Sequence, residues 1–252
     1  MIKKLYIRNE FNLHEKRTAL VPSDIYILIL NGFEIWIEES THRIFSNEEY
    51  IKNNVFITNL PWYHDKFKDF LIIGLKELNN LDKLNYHKHV YFSHLFQNQN
   101  NSIEILKKFK NSKSIIYDFE YFLDSNNKRI ITFGYYAGIV GCALGLIQYF
   151  LKISKKELNN LIPWDNINEL IKSIKSTEKF SCNQNINIAI IGPNGNTGSG
   201  VCYILEYLNF KFNKIYRETD KKDLLNYDII FNCIKLDINS EEIWFNHDIK
   251  NI

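Results

Sequence analysis

Residues 185–208, NINIAIIGPNGNTGSGVCYILEYL, constrain the fold more than any other stretch of the chain. A β-branched run over 186–191 passes without a spacer into Gly192-Pro-Asn-Gly195-Asn-Thr-Gly198-Ser199-Gly200, and an amphipathic segment follows at once. That order reads strand, glycine turn, helix. Glycine is needed where φ is positive or where backbone must come close to another group, and the first N–H groups of a helix favour an anion. The ligand this arrangement suits is a pyrophosphate. The spacing is G-x-x-G-x-x-G, with Asn194 where the usual dinucleotide fingerprint carries its second glycine. A glycine-rich turn with no ligand would show the same order.

Short apolar runs alternate with helical patterns through the first half of the chain. Residues 4–8 read as a strand, followed by a polar loop to Pro22; Ser23 has the chemistry of a helix N-cap ahead of 24–31, and Gly32 supplies the stop. A strand over 33–37 completes a βαβ opening. Ser46 and Glu49 form an S-x-x-E capping box for a short helix near Tyr50. Further strands are expected over 70–75, 89–92 and 114–117, with a helix over 102–109 before the last of them. The pattern predicts an α/β domain with a largely parallel sheet. In such sheets ligands sit beyond the carboxyl ends of the strands, and here those ends present Lys76-Glu77, His94 and Glu120. An amine, an imidazole and carboxylates at one edge can do acid–base chemistry near neutral pH. A polar strand rim without a catalytic task gives the same pattern.

Residues 133–151 carry Gln148 as their only strongly polar side chain, and Gly134, Gly138, Gly141 and Gly145 recur at helical spacing. The length reaches that of a membrane span, but α/β patterning on both sides favours a helix buried between two domains. Residues 152–187 read as helical and polar. Past the glycine loop a strand is expected over 214–217, where a dinucleotide fold places an acidic ribose ligand; Arg217 stands there, with Glu218 next. An arginine at that point suits a 2'-phosphate, whereas a one-residue shift gives Glu218 the acidic role. A last strand is expected over 227–234.

Charge and cysteine content narrow the classes. Lys and Arg total 31 against 29 Asp and Glu, a net of +2, which lacks the basic footprint of a nucleic-acid binder. Cys142, Cys182, Cys202 and Cys233 lie far apart, suggesting neither a zinc site nor a disulfide framework and fitting a reducing, cytoplasmic setting. The first residues, MIKKLYIRNEF, contain no apolar secretory core.

Arg8-x-Glu10 with Glu15-Lys-Arg-Thr-Ala-Leu-Val-Pro22, Gly32-Phe-x-Ile-x-Ile-Glu38, Gly74-Leu-Lys-Glu77, Phe92-Ser-His94, Tyr117-Asp-Phe-Glu120, Phe133-Gly-Tyr-Tyr-Ala-Gly138, the glycine loop and Asn232-Cys-Ile234 occur in one order. In this the chain resembles the lysine-forming saccharopine dehydrogenases, within the wider group of alanine dehydrogenase and the N-terminal part of transhydrogenase. The resemblance implies an α/β fold of two Rossmann-like domains with parallel sheets, a substrate-binding domain over 1–133 and a dinucleotide-binding domain over 134–252. Family members continue with a further C-terminal segment, so the second domain is expected to be incomplete, with a homo-oligomer or a complementing chain as partner. The implied reaction interconverts saccharopine with lysine and 2-oxoglutarate using NAD, with NADP the alternative that Arg217 raises. Lys76 and His94 would be the acid–base pair, Glu77 and Glu120 would tune it, and Arg17 and Arg129 would bind substrate carboxylates. Gly192, Gly195, Gly198, Ser199 and Gly200, with Arg217 and Cys233, would hold the cofactor. No metal, membrane or nucleic acid is implied. A lysine that the family carries shortly after the histidine is replaced by Gln97. A non-catalytic relative that binds a nucleotide or dicarboxylate, and an alanine dehydrogenase-like enzyme, are the alternatives.

Overall fold

A computed structural model describes residues 3–96, 101–158, 161, 163–180, 185–216 and 221–234. The chain forms two compact units, Met1–Ile131 and Thr132–Ile252. In the first, strands β1 (Lys4–Ile7), β2 (Glu34–Glu38), β3 (Phe56–Thr58), β4 (Leu71–Ile73), β5 (Lys88–Tyr91) and β6 (Ile115–Asp118) make one sheet in the order β3-β2-β1-β4-β5-β6. Every neighbouring pair is parallel. Helices α1 (Pro22–Leu30), α2 (Asn47–Ile51) and α3 (Ser102–Asn111) serve as crossovers. The alternation of side chains along each strand fills both faces. Leu5 and Ile7 join Ile25 of α1, Ile35, Ile37, Ile73 and Val90 on one side, while Tyr6 joins Phe67, Phe70, Ile72, Tyr91 and Phe109 on the other. The chain leaves β1 toward β2 and β3, then returns to place β4 on the opposite flank of β1. The order therefore reverses between β1 and β4, and a parallel sheet opens a ligand crevice at such a point, at the carboxyl ends of the strands.

Two local expectations are corrected. Ser23 lies inside α1 and does not cap it: Val21 is the N-cap, Pro22 opens the helix, and the Asp24 carboxylate accepts the Val21 N–H at 3.2 Å. Proline at the first helical position gives up only an N–H that would have no partner there. The three-residue edge strand β3 has no counterpart among the expected elements. The Ser46–Glu49 capping box forms as expected, with both reciprocal bonds, at 2.7 and 3.4 Å.

The second unit holds helices α4 (Gly134–Ile153), α5 (Ile167–Lys175) and α6 (Asn196–Tyr207) with a parallel sheet β8-β7-β9, in which β7 (Ile188–Ile191) is flanked by β8 (Asn213–Ile215) and β9 (Ile229–Asn232). β7 is fully buried, as its unbroken Ile-Ala-Ile-Ile run requires. α4 is long and apolar enough to cross a membrane by length and composition alone. Its face of Gly138, Ile139, Cys142, Ala143, Leu146, Ile147 and Phe150 is buried in the core of this unit, packed on α5, α6 and β9. Where helix was expected through 152–187, only α5 forms among the described residues. Asn166 starts it by accepting the N–H groups of Asn168 and Glu169.

Candidate active site

The first unit gathers its titratable side chains at the carboxyl edge of the sheet, around the reversal point. β4 ends at Ile73, and the next three residues, Gly74-Leu75-Lys76, run out over the end of β1. Two buried groups from β1's own extension meet them there. Glu10 accepts the Leu75 N–H at 2.7 Å and the Lys76 N–H at 3.0 Å, and Arg8 donates to the Lys76 carbonyl. Arg8 and Glu10 pair with each other at 3.2 Å, with side chains only 1% and 5% exposed. Lys76 is half-buried and Glu77 exposed. Beside them, buried Glu15 grips Arg17 through two bonds, Nε to Oε1 at 2.7 Å and Nη2 to Oε2 at 2.6 Å. Burial pushes the Glu15 carboxyl up, but hydrogen bonds and charge from Arg17, with the Lys76 charge added, outweigh it and hold Glu15 below the ordinary carboxylate range. The same bonds raise Arg17.

The next two strand ends carry the imidazole. β5 runs on through Phe92, whose N–H bonds the Leu75 carbonyl at 3.1 Å, to Ser93 and His94. Buried Asp118, at the end of β6, takes the Ser93 N–H at 3.3 Å, the Ser93 hydroxyl at 2.6 Å and the Glu120 N–H at 3.0 Å. One carboxylate thus fixes the two loops that bear His94 and Glu120. His94 has a positive φ of 53° and stacks on Phe92 at 6.1 Å. Its Nδ1 lies 3.9 Å from Glu120 Oε2, just beyond hydrogen-bond length. A hairpin closed by Leu123 and Arg129 folds Arg129 back onto Glu120, where its Nη1 and Nη2 meet the two carboxylate oxygens, each at 2.7 Å. His94, Glu120 and Arg129 therefore form a line in which the carboxylate faces both the imidazole and the guanidinium.

Of the residues singled out in the sequence, Lys76 and Arg17 lie with Glu10 and Glu15 past β1 and β4, and His94, Glu120 and Arg129 form a second group past β5 and β6, on the same carboxyl edge. The sequence reading assigned no task to Glu15, Asp118 or the Arg8–Glu10 pair. Glu15 and Glu10 stood inside quoted motifs, but nothing in those motifs says which backbone groups they bind.

In the second unit the glycine turn leaves β7 and opens α6. Gly192 has φ +74°, a conformation that side chains disfavour, and a Cβ there would overlap Ile234. A Cβ on Gly198 would overlap the Gly192 carbonyl, so this glycine lets the helix sit against the turn. Gly195 is the N-cap, carries no side chain to accept the first N–H groups of α6, and a Cβ there would make only an ordinary contact, 3.7 Å from the Gly192 carbonyl oxygen. Those properties fit a phosphate-bearing cofactor. Ser199 donates to the Asn196 carbonyl at 2.9 Å. Cys233 follows β9, its N–H bonded to the Ile191 carbonyl at 3.0 Å, and burial raises its thiol. Arg217, Glu218 and Gln97 lie outside the described residues.

A first sheet of order 3-2-1-4-5-6 with a titratable edge and a second parallel sheet with a glycine turn define a two-unit, Rossmann-like protein. The N-terminal domain family of alanine dehydrogenase/PNT matches residues 6–140. The chain belongs to this family and is homologous to the lysine-forming saccharopine dehydrogenases. It is 33% identical over 247 residues to saccharopine dehydrogenase [NAD(+), L-lysine-forming] of Candida glabrata, covering 92% of this chain and 66% of that one. It is 30% identical to the Yarrowia lipolytica protein of the same name, covering 98% and 71%. The chain thus spans about two thirds of the length of these relatives. Among solved structures it resembles an L-alanine dehydrogenase, with TM-score 0.61 and 14% identity over 90% of this chain and 60% of that one. A transhydrogenase from Sinorhizobium meliloti gives TM-score 0.52 and 12% identity, over 90% and 61%.

Proposed function

We propose that the chain is an oxidoreductase of saccharopine dehydrogenase type, interconverting saccharopine and water with lysine and 2-oxoglutarate. The observation that carries this reading is that Lys76 follows β4 at the reversal of the first sheet while the His94–Glu120–Arg129 line follows β5 and β6 at the same carboxyl edge. A nicotinamide cofactor, NAD or NADP, supplies the hydride acceptor, with its pyrophosphate at the glycine turn and the start of α6.

Oxidation removes a hydride from the carbon that joins the amine to the glutaryl part, and the secondary amine gives up its proton. Lys76 and His94 divide the proton transfers: one takes the amine proton, and the other handles the water that attacks the imine. Collapse of the resulting carbinolamine breaks the C–N bond and gives lysine and 2-oxoglutarate. Glu120 lies 3.9 Å from His94 Nδ1 and binds the Arg129 guanidinium with both oxygens, so it stands between the imidazole and a cation that can hold a substrate carboxylate. Arg17 and Arg129 bind the substrate carboxylates. Both forks face protein carboxylates in this structure, so a substrate carboxylate would share them with Glu15 and Glu120.

The test is Lys76→Met assayed with NADH, lysine and 2-oxoglutarate. The expected result is loss of turnover with nucleotide affinity unchanged. Wild-type rates in the variant would refute the acid–base role.

A further inference from the structure

Past β4 the chain keeps its bonds to the β5 side, Gly74 N–H to the Val90 carbonyl at 3.0 Å and Phe92 N–H to the Leu75 carbonyl at 3.1 Å, while the groups that face β1 lose their strand partner. β1 pairs with β4 only as far as Ile7↔Ile73, after which the Arg8 N–H takes the Ile73 carbonyl at 3.0 Å. Beyond that, two N–H groups and one carbonyl of Leu75 and Lys76 are met by side chains instead of strand. Glu10 covers both N–H groups, one with each oxygen, and Arg8 covers the carbonyl. The Arg8 guanidinium lies so close to Gly74 that any Cβ there would overlap it, and its far side faces the Tyr91 ring at 5.7 Å.

A buried ion pair is a poor way to gain stability, because desolvation offsets its attraction and apolar replacements are often as stable. Charged hydrogen bonds are shorter and stronger than neutral ones, so this pair holds backbone in place firmly. What it holds is the segment that carries Lys76. We propose that Glu10, locked by Arg8, is a positioning residue for Lys76, fixing the backbone from which the amine reaches the crevice. The inference rests on the acid–base reading of Lys76. Its geometric part stands apart from activity.

The test is Glu10→Gln, which keeps size and one acceptor but turns an NH2 toward a backbone N–H. Reductive methylation of the full chain with formaldehyde and a borane, followed by peptide mass mapping, gives the labelling rate of Lys76 relative to exposed Lys107. The expected result is a change in that ratio of more than about twofold with other lysines unaffected. In the assay, kcat should fall about tenfold or more while the nucleotide KM stays put, as displacement of a reacting group requires. A ratio within about twofold of wild type would overturn the proposal, whatever the activity. A shifted ratio in a protein whose wild type turns nothing over would keep the positioning and remove the functional reading. Should Glu10→Gln fail to fold, Glu10→Asp retains the charge that Arg8 needs but shortens the reach to Leu75 and Lys76, and the same ratio decides.

Discussion

His89 stands in β5 with its ring edge-on to Trp62 at 4.7 Å and to Phe109 at 5.9 Å, and His87 meets the same Trp62 at 5.2 Å. Both imidazoles are buried, and burial lowers both below the ordinary value of 6.5, His89 well below it. The fold therefore refuses protons that the unfolded chain accepts. Stability from this source is complete above pH 6.5 and falls as pH drops, by about 1.4 kcal/mol per pH unit for each histidine that stays neutral. Glu38, whose carboxyl burial raises, works the opposite way, since the fold takes its proton first. Denaturant unfolding between pH 7 and 5 should show a loss of stability in wild type that His89→Phe reduces. Equal slopes would rule His89 out as the source. At this scale the sequence told which residues could do chemistry and little about which would be buried. Lys76, His94 and Glu120 were legible because each follows an apolar strand run. The Arg8–Glu10 clamp was not, because its partners are more than sixty residues away and are backbone atoms.

At the scale of elements, α4 and α6 cross at small residues. A Cβ on Gly138 would overlap the Thr197 carbonyl, and one on Gly200 would overlap the Tyr135 carbonyl, so the two helices pack backbone to backbone beside the glycine turn. Gly141, on the same helix as Gly138, has nothing within 4 Å of its Cβ position. Gly200→Ala should destabilise by about 1–3 kcal/mol, as overpacking does. Gly141→Ala should stabilise by up to about 1 kcal/mol, the helix propensity difference. Thermal unfolding of both variants checks the pair, and a Gly200→Ala protein as stable as wild type would contradict this crossing. The elements themselves were largely readable, since apolar runs and caps mark most strands and helices to within a few residues. The misses have physical causes. Pro22 took the helix start from Ser23, β3 is too short to show a period, and among the described residues of 152–187 the buried stripe of Leu170, Ile171 and Ile174 holds α5 alone.

At the scale of the whole molecule, the chain is two Rossmann-like units. In the proposed function the first would supply Lys76 and His94 for proton transfer from the carboxyl edge of its sheet, and the second would offer its glycine turn and helix start to a dinucleotide. Parallel topology puts strand ends on one edge, which is why a linear reading of strand-end residues could foresee a cluster. Strand order could not be read, because it depends on which neighbours pair and not on any one strand. The most direct measurement titrates the purified chain with NADH and then NADPH, following nucleotide fluorescence, and then adds lysine and 2-oxoglutarate. The expected result is saturable binding of a reduced nucleotide and its oxidation only when both substrates are present. Failure to bind either nucleotide, or binding with no oxidation under any order of addition, would contradict it.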